Sequence, residues 1–161
     1  MTATSALISR MRRRFAQGGA GSLAKLRRMR VLFVCTGNTC RSPMAAALAR
    51  RLHPSWEVRS AGLQADGGTP ISEHALTVLT HRGVDSSEHR STLLTAALVD
   101  WAERIIVMTA AHERRLLQLF PAGAGKVRRL AETDLADPFM GTLEDYEECA
   151  EAIEAALDGL G

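Results

Sequence analysis

The stretch Val31-Leu32-Phe33-Val34-Cys35-Thr36-Gly37-Asn38-Thr39-Cys40-Arg41-Ser42-Pro43 decides the fold. Val31 to Val34 are apolar throughout and β-branched or aromatic at three of four positions, the pattern of a buried parallel strand. A cysteine closes the run. After five intervening residues, Arg41, Ser42 and Pro43 open an apolar helix, Met44 to Leu52. Ser42 suits the N-cap and Pro43 the first helical position. The loop between strand and helix therefore ends at a helix N-terminus, where unpaired N–H groups and the positive end of the dipole favour an anion. Gly37 and Asn38 are expected to take φ > 0 there, turning successive N–H groups inward.

This spacing sets a nucleophile beside an anion cradle. The helix end and Arg41 both favour the thiolate of Cys35 over the thiol. Arg41 offers a planar fork for two oxygens of a tetrahedral oxyanion. Ser42 can point its hydroxyl at the sulfur and stabilise it as a leaving group. Thr36, Gly37, Asn38, Thr39 and Cys40 supply the rest of the phosphate-binding loop. An anion site with a nucleophile at its floor implies attack on phosphorus. A buried structural cysteine followed by a helix cap would leave the Gly-Asn pair and the arginine unexplained.

These residues resemble the signature of the low-molecular-weight protein-tyrosine-phosphatase family, a Cys-x5-Arg-Ser loop near the start of the domain. Further along, Asp137-Pro138-Phe139 resembles the family's general-acid loop, and Arg104-Ile105-Ile106-Val107-Met108-Thr109 its third strand. Ser60-Ala61-Gly62, and His89 ahead of Ser91, resemble its supporting polar residues. The resemblance runs from about Met29 to about Leu157. It implies an α/β fold, a doubly wound four-stranded parallel sheet with helices on both faces. It also implies catalysis by Cys35, Arg41 and Asp137 through a phosphocysteine intermediate, with no cofactor and no metal. Phe139 should wall the substrate pocket, and Ser60 and His89, with Asn38, should brace the loop. Asp134 is the competing acid, and His89 could equally be a solvated loop histidine.

Thr39 departs from the tyrosine-specific pattern, which usually has isoleucine before the second loop cysteine. Cys35 to Met44, and Asp137-Pro138-Phe139-Met140-Gly141, are closer to the bacterial protein-arginine phosphatases of the same family. An isoleucine packs on a phenyl ring, whereas a threonine leaves room and offers a hydroxyl to a planar guanidinium. Phosphoarginine is therefore preferred to phosphotyrosine as the substrate. Arsenate reduction on this scaffold would need further cysteines in mid-chain, and none lies between Cys40 and Cys149. A non-catalytic phosphate-binding module would be expected to lack the thiol or the acid. Cys40 reads either as a redox partner of Cys35 or as a small buried side chain, and Cys149 as inert.

Composition agrees with one domain. The chain has 161 residues, 46% hydrophobic and 24% charged, enough for a sizeable core. Its arginine and alanine bias suggests a GC-rich bacterial genome. Three cysteines make no disulfide framework and suit a reducing cytoplasm. No run approaches the ~18 apolar residues of a membrane span. The net charge of +2 hides an asymmetry: the first 28 residues hold seven basic side chains and no acidic one, so the rest has 13 Lys+Arg against 18 Asp+Glu. A domain of −5 does not advertise nucleic-acid binding. Its expected partner is a phosphorylated protein, and the chain is read as a monomer or weak dimer.

Residues 1–28 are read as a basic extension, with 29–161 as the phosphatase domain. The extension could be a disordered tail, a weak basic amphipathic helix or a transit-like segment, and Met29 is a candidate translation start. Beyond it, strands are expected near 31–34, 56–60, 104–108 and 127–130. Helices are expected near 42–53, 70–82, 110–119 and 142–158, with a broken segment near 93–102. This alternation implies right-handed crossovers and a parallel sheet.

Overall fold

A computed structural model describes residues 27–161. The expectations for the N-terminal extension fall almost wholly on residues 1–26, outside the described residues. Four strands, β1 (Met29–Cys35), β2 (Trp56–Gly62), β3 (Arg104–Val107) and β4 (Val127–Arg129), form one sheet in the order β2-β1-β3-β4. All pairings are parallel. Five helices connect and cover them: α1 (Arg41–Leu52), α2 (Glu73–His81), α3 (Ala96–Trp101), α4 (Ala110–Leu119) and α5 (Leu143–Asp158). The doubly wound fold expected from the alternation of strand and helix is the fold observed.

Period-2 geometry divides the core between the two faces. Val31, Phe33 and Cys35 point into a layer built with Met44 and Leu48 of α1, Val78 and Leu79 of α2, and Ile153 and Leu157 of α5. Leu32 and Val34 point the other way, onto Val99 of α3 and Leu116 of α4. Residues 31 to 34 are wholly inaccessible, as expected of a central parallel strand. The chain leaves β1 toward β2 on one side and β3 on the other. The strand order reverses there, and ligands in such sheets sit in the crevice at the carboxyl ends of those strands. Cys35 is the last residue of β1.

Several boundaries move for physical reasons. Residues 70–72 are not helical: Pro70 bridges Arg90, and the Ser72 N–H goes to the Thr39 carbonyl at 2.9 Å. Helix α2 starts only after that tie. β2 runs two residues past Ser60, because Ala61 and Gly62 pair with Val34 and Cys35. The broken segment resolves into the short α3, capped by the Thr95 hydroxyl, and Leu93 bridges Gly62. α5 begins with a capping box in which Thr142 and Asp145 satisfy each other's backbone N–H groups, worth about 1 kcal/mol.

Phe33 is the largest side chain on the Cys35 face of β1 and is wholly buried. Phe33→Ala should lower the unfolding free energy by about 3–5 kcal/mol, measured by urea denaturation. A loss below about 1 kcal/mol would show that this face is loosely packed.

Candidate active site

The loop from Thr36 to Cys40 is held from outside by its carbonyls. Those of Cys35 and Thr36 accept the N–H groups of Leu63 and Gln64, both at 2.9 Å, and that of Thr39 accepts Ser72. The Asn38 carbonyl accepts Nε2–H of His89 at 2.8 Å. With the carbonyls committed outward, the N–H groups turn to the loop's interior. Those of Gly37, Asn38, Thr39 and Cys40 donate to no group among the described residues. Four unpaired donors at the N-terminus of α1 form an anion nest.

Asn38 is the hub. It is completely buried and has φ 56°, a left-handed conformation that asparagine tolerates better than most residues. Its amide donates to Ser42 Oγ at 2.8 Å and Ser60 Oγ at 3.0 Å. Its Oδ1 accepts the Thr92 N–H at 2.9 Å. Gly37, expected to share the positive φ, does not adopt it: one inversion at Asn38 suffices to close the loop. The steric need for glycine falls instead on Gly62, where a Cβ would lie 2.6 Å from the Thr36 carbonyl oxygen and 3.0 Å from Asn38 N.

Ser42 is not the N-cap. α1 begins at Arg41 with Cys40 in the cap position, and no side chain caps it. The Ser42 hydroxyl lies 2.9 Å from Cys35 Sγ. The Asn38 amide donates to Ser42 Oγ, and the hydroxyl hydrogen has two acceptors in reach, the Cys35 sulfur at 2.9 Å and the Ala61 carbonyl at 3.5 Å. Cys35 and Ser42 are both buried, so their contact is sheltered from water.

Arg41 runs under the loop, almost fully buried. It donates to the Leu135 carbonyl at 3.0 Å and meets Asp137 Oδ2 at 3.1 Å. Asp137 is half exposed. Its other oxygen accepts the Phe139 N–H at 3.1 Å, a local turn around Pro138. Gly141 N–H closes on the Pro138 carbonyl at 2.8 Å, with Met140 at φ 65°. Asp134 is otherwise engaged, accepting the Ala110 N–H at the start of α4. Cys35, Thr36, Gly37, Thr39, Cys40, Arg41, Asp137 and Phe139 line one cleft of about 370 Å³. Phe139 is 63% exposed on its wall and is not a core residue. Ser42, Asn38, Ser60 and His89 lie behind the loop. Burial pushes His89 below the usual histidine range.

Three neighbours escape a reading of the sequence. His112 is buried, and its Nε2 lies 2.9 Å from Thr36 Oγ1. Burial, and then the nearby Arg41 charge, push it down to about 4. Tyr146, the sole tyrosine, lies 3.2 Å from Cys40 Sγ, and burial holds its phenol up at about 12. The Thr92 contact is through backbone alone and leaves no mark on residue type. Only Tyr146 had a signal: it shares the apolar face of α5 with Cys149, Ala150, Ile153 and Leu157. Cys40 itself sits in a polar pocket with Tyr146 and Ser72, the latter at 3.5 Å. Burial pushes the Cys149 thiol up to about 12.

A model of the low molecular weight phosphotyrosine protein phosphatase family matches residues 30–161. The chain belongs to this family and is a phosphoprotein phosphatase, a hydrolase. A protein-arginine-phosphatase of Geobacillus stearothermophilus is 41% identical over 138 residues, covering 81% of this chain and 93% of the relative. A probable low molecular weight protein-tyrosine-phosphatase, EpsP of Ralstonia nicotianae, is 44% identical over 131 residues, covering 80% and 90%. The solved YwlE arginine phosphatase of Geobacillus stearothermophilus superposes with a TM-score of 0.78 at 41% identity, covering 82% of this chain and 90% of that one. Wzb of Vibrio vulnificus in complex with benzylphosphonate gives 0.80 at 30% identity, covering 82% and 96%.

Two predictions follow from the loop's construction. Asn38→Gly permits the positive φ but removes the side-chain ties, whereas Asn38→Ala loses both. Steady-state kinetics should show kcat/KM falling roughly tenfold or more in Asn38→Gly and further in Asn38→Ala. Equal activity in the two variants would assign the loss to hydrogen bonding alone. The second concerns His112. Its depressed value means that the unfolded chain takes up a proton below pH 6.5 that the folded chain refuses until about 4. Stability is therefore present above pH 6.5 and lost as the pH falls toward 4, by up to about 3 kcal/mol from this residue. Chemical denaturation of His112→Asn should show a shallower decline over that window. An unchanged slope would remove His112 from the acid response.

Proposed function

We propose that the protein removes phosphate from phosphoarginine in proteins through a phosphocysteine formed on Cys35. The observation that carries the mechanism is the Cys35–Ser42 contact at 2.9 Å, set at the floor of a cleft whose wall holds Arg41 paired to Asp137. Cys35 attacks phosphorus as the thiolate. The P–N bond breaks, and Asp137 as carboxylic acid gives its proton to the departing guanidino nitrogen. In the second half Asp137 takes a proton from water, the oxygen attacks phosphorus, and the P–S bond breaks. The Ser42 hydroxyl donates to the departing sulfur. Arg41 and the four free N–H groups hold the equatorial oxygens, where charge is greatest in the transition state.

The Arg41–Asp137 pair gives this scheme a resting state. An incoming phosphate dianion competes with the Asp137 carboxylate for the guanidinium. Once displaced, Asp137 faces that dianion, and like-charge repulsion favours its protonated form, the form a general acid needs. A thiolate enzyme also requires a reducing surrounding, which supports a cytoplasmic location.

Thr39 supports the choice of phosphoarginine. It lines the cleft, and among the described residues its hydroxyl pairs only with Cys40 Sγ, at 3.7 Å. That leaves a donor and acceptor for a guanidino group. The relative named protein-arginine-phosphatase supports the same reading. Phosphotyrosine is the second reading, favoured by the exposed Phe139 ring on the cleft wall and by the EpsP relative.

The test assays phosphoarginine and phosphotyrosine peptides side by side with wild type and Thr39→Ile. The variant should lose phosphoarginine hydrolysis roughly ten- to a hundredfold in kcat/KM, one hydrogen bond to a charged group, and gain phosphotyrosine hydrolysis through ring packing. A parallel fall in both would leave phosphotyrosine as the better reading. Asp137→Asn should slow poor leaving groups far more than p-nitrophenyl phosphate; equal losses would mean that another group supplies the proton.

A further inference from the structure

Asp66 lines the cleft together with Cys35, Arg41 and Asp137, yet it has no task in the fold. It is exposed and makes no hydrogen bond or ion pair among the described residues. Other carboxylates near the site are used: Asp134 holds the start of α4, Asp137 holds Arg41, and Asp145 caps α5. The loop that carries Asp66 is rigid by contrast. Its leading edge is tied to the phosphate loop through Leu63 N–H and Gln64 N–H on the Cys35 and Thr36 carbonyls. Its trailing edge is tied to Ser91: Gly68 N–H donates to the Ser91 carbonyl at 2.8 Å, and Thr69 N–H to the Ser91 hydroxyl at 3.0 Å. Ala65 is buried next to Gly62. Gly67 and Gly68, at φ 76° and 77°, turn the chain back directly after Asp66. The loop presents this carboxylate at a defined place on the rim.

A carboxylate at the mouth of a site built for a dianion is unfavourable by itself. It repels the phosphate, and the only cation lining the cleft among the described residues, Arg41, is buried and already engaged. The arrangement makes electrostatic sense when the substrate carries positive charge beside its phosphate. Phosphoarginine does: the guanidino group that bears the phosphorus keeps two further nitrogens and a delocalised cation, and its planar fork matches a carboxylate. A phosphotyrosine ring offers neither. We propose that Asp66 is a specificity-determining residue that receives the guanidinium of phosphoarginine in the cleft it shares with Phe139. This rests on the phosphoarginine reading above and adds to it a second contact that is independent of Thr39.

The test compares the full chain with Asp66→Asn on four substrates: a peptide with one phosphoarginine and no other basic residue, the same peptide with phosphotyrosine, that phosphotyrosine peptide with an arginine beside the phosphorylated residue, and p-nitrophenyl phosphate. The ratio of kcat/KM for phosphoarginine to that for phosphotyrosine should fall roughly three- to tenfold, between the worth of an exposed ion pair and a charge-assisted hydrogen bond. The change should lie mainly in KM and shrink as salt is raised. An unchanged ratio in an enzyme that does hydrolyse phosphoarginine overturns the assignment of Asp66 alone. So does a loss seen only when a phosphotyrosine peptide carries an arginine beside the phosphorylated residue, which would give Asp66 to the flanking chain. A wild type that leaves the phosphoarginine peptide intact removes the underlying reading and this one with it.

Discussion

One buried asparagine holds the site in shape. Asn38 sits in a left-handed conformation, fully inside the protein, with both amide hydrogens, its side-chain oxygen and its main-chain oxygen all engaged. An unsatisfied group in such a place costs about 1–3 kcal/mol, and strained backbone persists only where its surroundings over-determine it. The ties meet both conditions. They reach α1 through Ser42, β2 through Ser60, and the 89–92 segment through His89 and Thr92. Three parts of the chain, two of them distant in sequence, thus agree on the position of one peptide unit. The free N–H groups of the nest follow from that agreement, as does the aim of the Ser42 hydroxyl at Cys35.

Charge is arranged around the same loop. Arg41 lies beneath it with a carbonyl and a carboxylate, Leu135 and Asp137, as partners. His112 stays neutral beside Arg41 because it is buried and because a second cation there would be repelled. The positive potential is therefore concentrated on one guanidinium and the α1 terminus, where a phosphate would sit, while the cleft's outer lining is acidic or neutral. On the proposed function the phosphate takes the floor and the rest of the substrate meets the rim, where Thr39, Phe139 and Asp66 are the side chains proposed to read it.

Local chemistry made part of this legible before any coordinates. The buried run of β1 and the five residues between Cys35 and Arg41 act locally, so residue type alone carries the signal, whereas Asp137 stands out from an ordinary turn aspartate only through its resemblance to the family's acid loop. The parallel sheet followed from strand and helix periods. Ser42 misled because serine before proline is an ordinary N-cap, and only the fold brings Cys35 and Asn38 close enough to recruit its hydroxyl. Gly37 misled for a similar reason: glycine permits a positive φ without requiring one, and the close approach falls on Gly62 across the β1–β2 pair. His112, Thr92 and Tyr146 reach the site through tertiary packing, or through backbone that any residue supplies. Asp66 was invisible because its meaning depends on the loop that presents it.

The central claim is that this cradle serves Cys35 as a nucleophile. Rapid acid quench of the Asp137→Asn variant during turnover, followed by mass spectrometry of its peptides, tests it directly, because loss of the acid-base group should slow hydrolysis of the intermediate. The account predicts a phosphate adduct on the Cys35 peptide that is absent in Cys35→Ser. A phosphate found on Cys40, or turnover retained in Cys35→Ser, would contradict it.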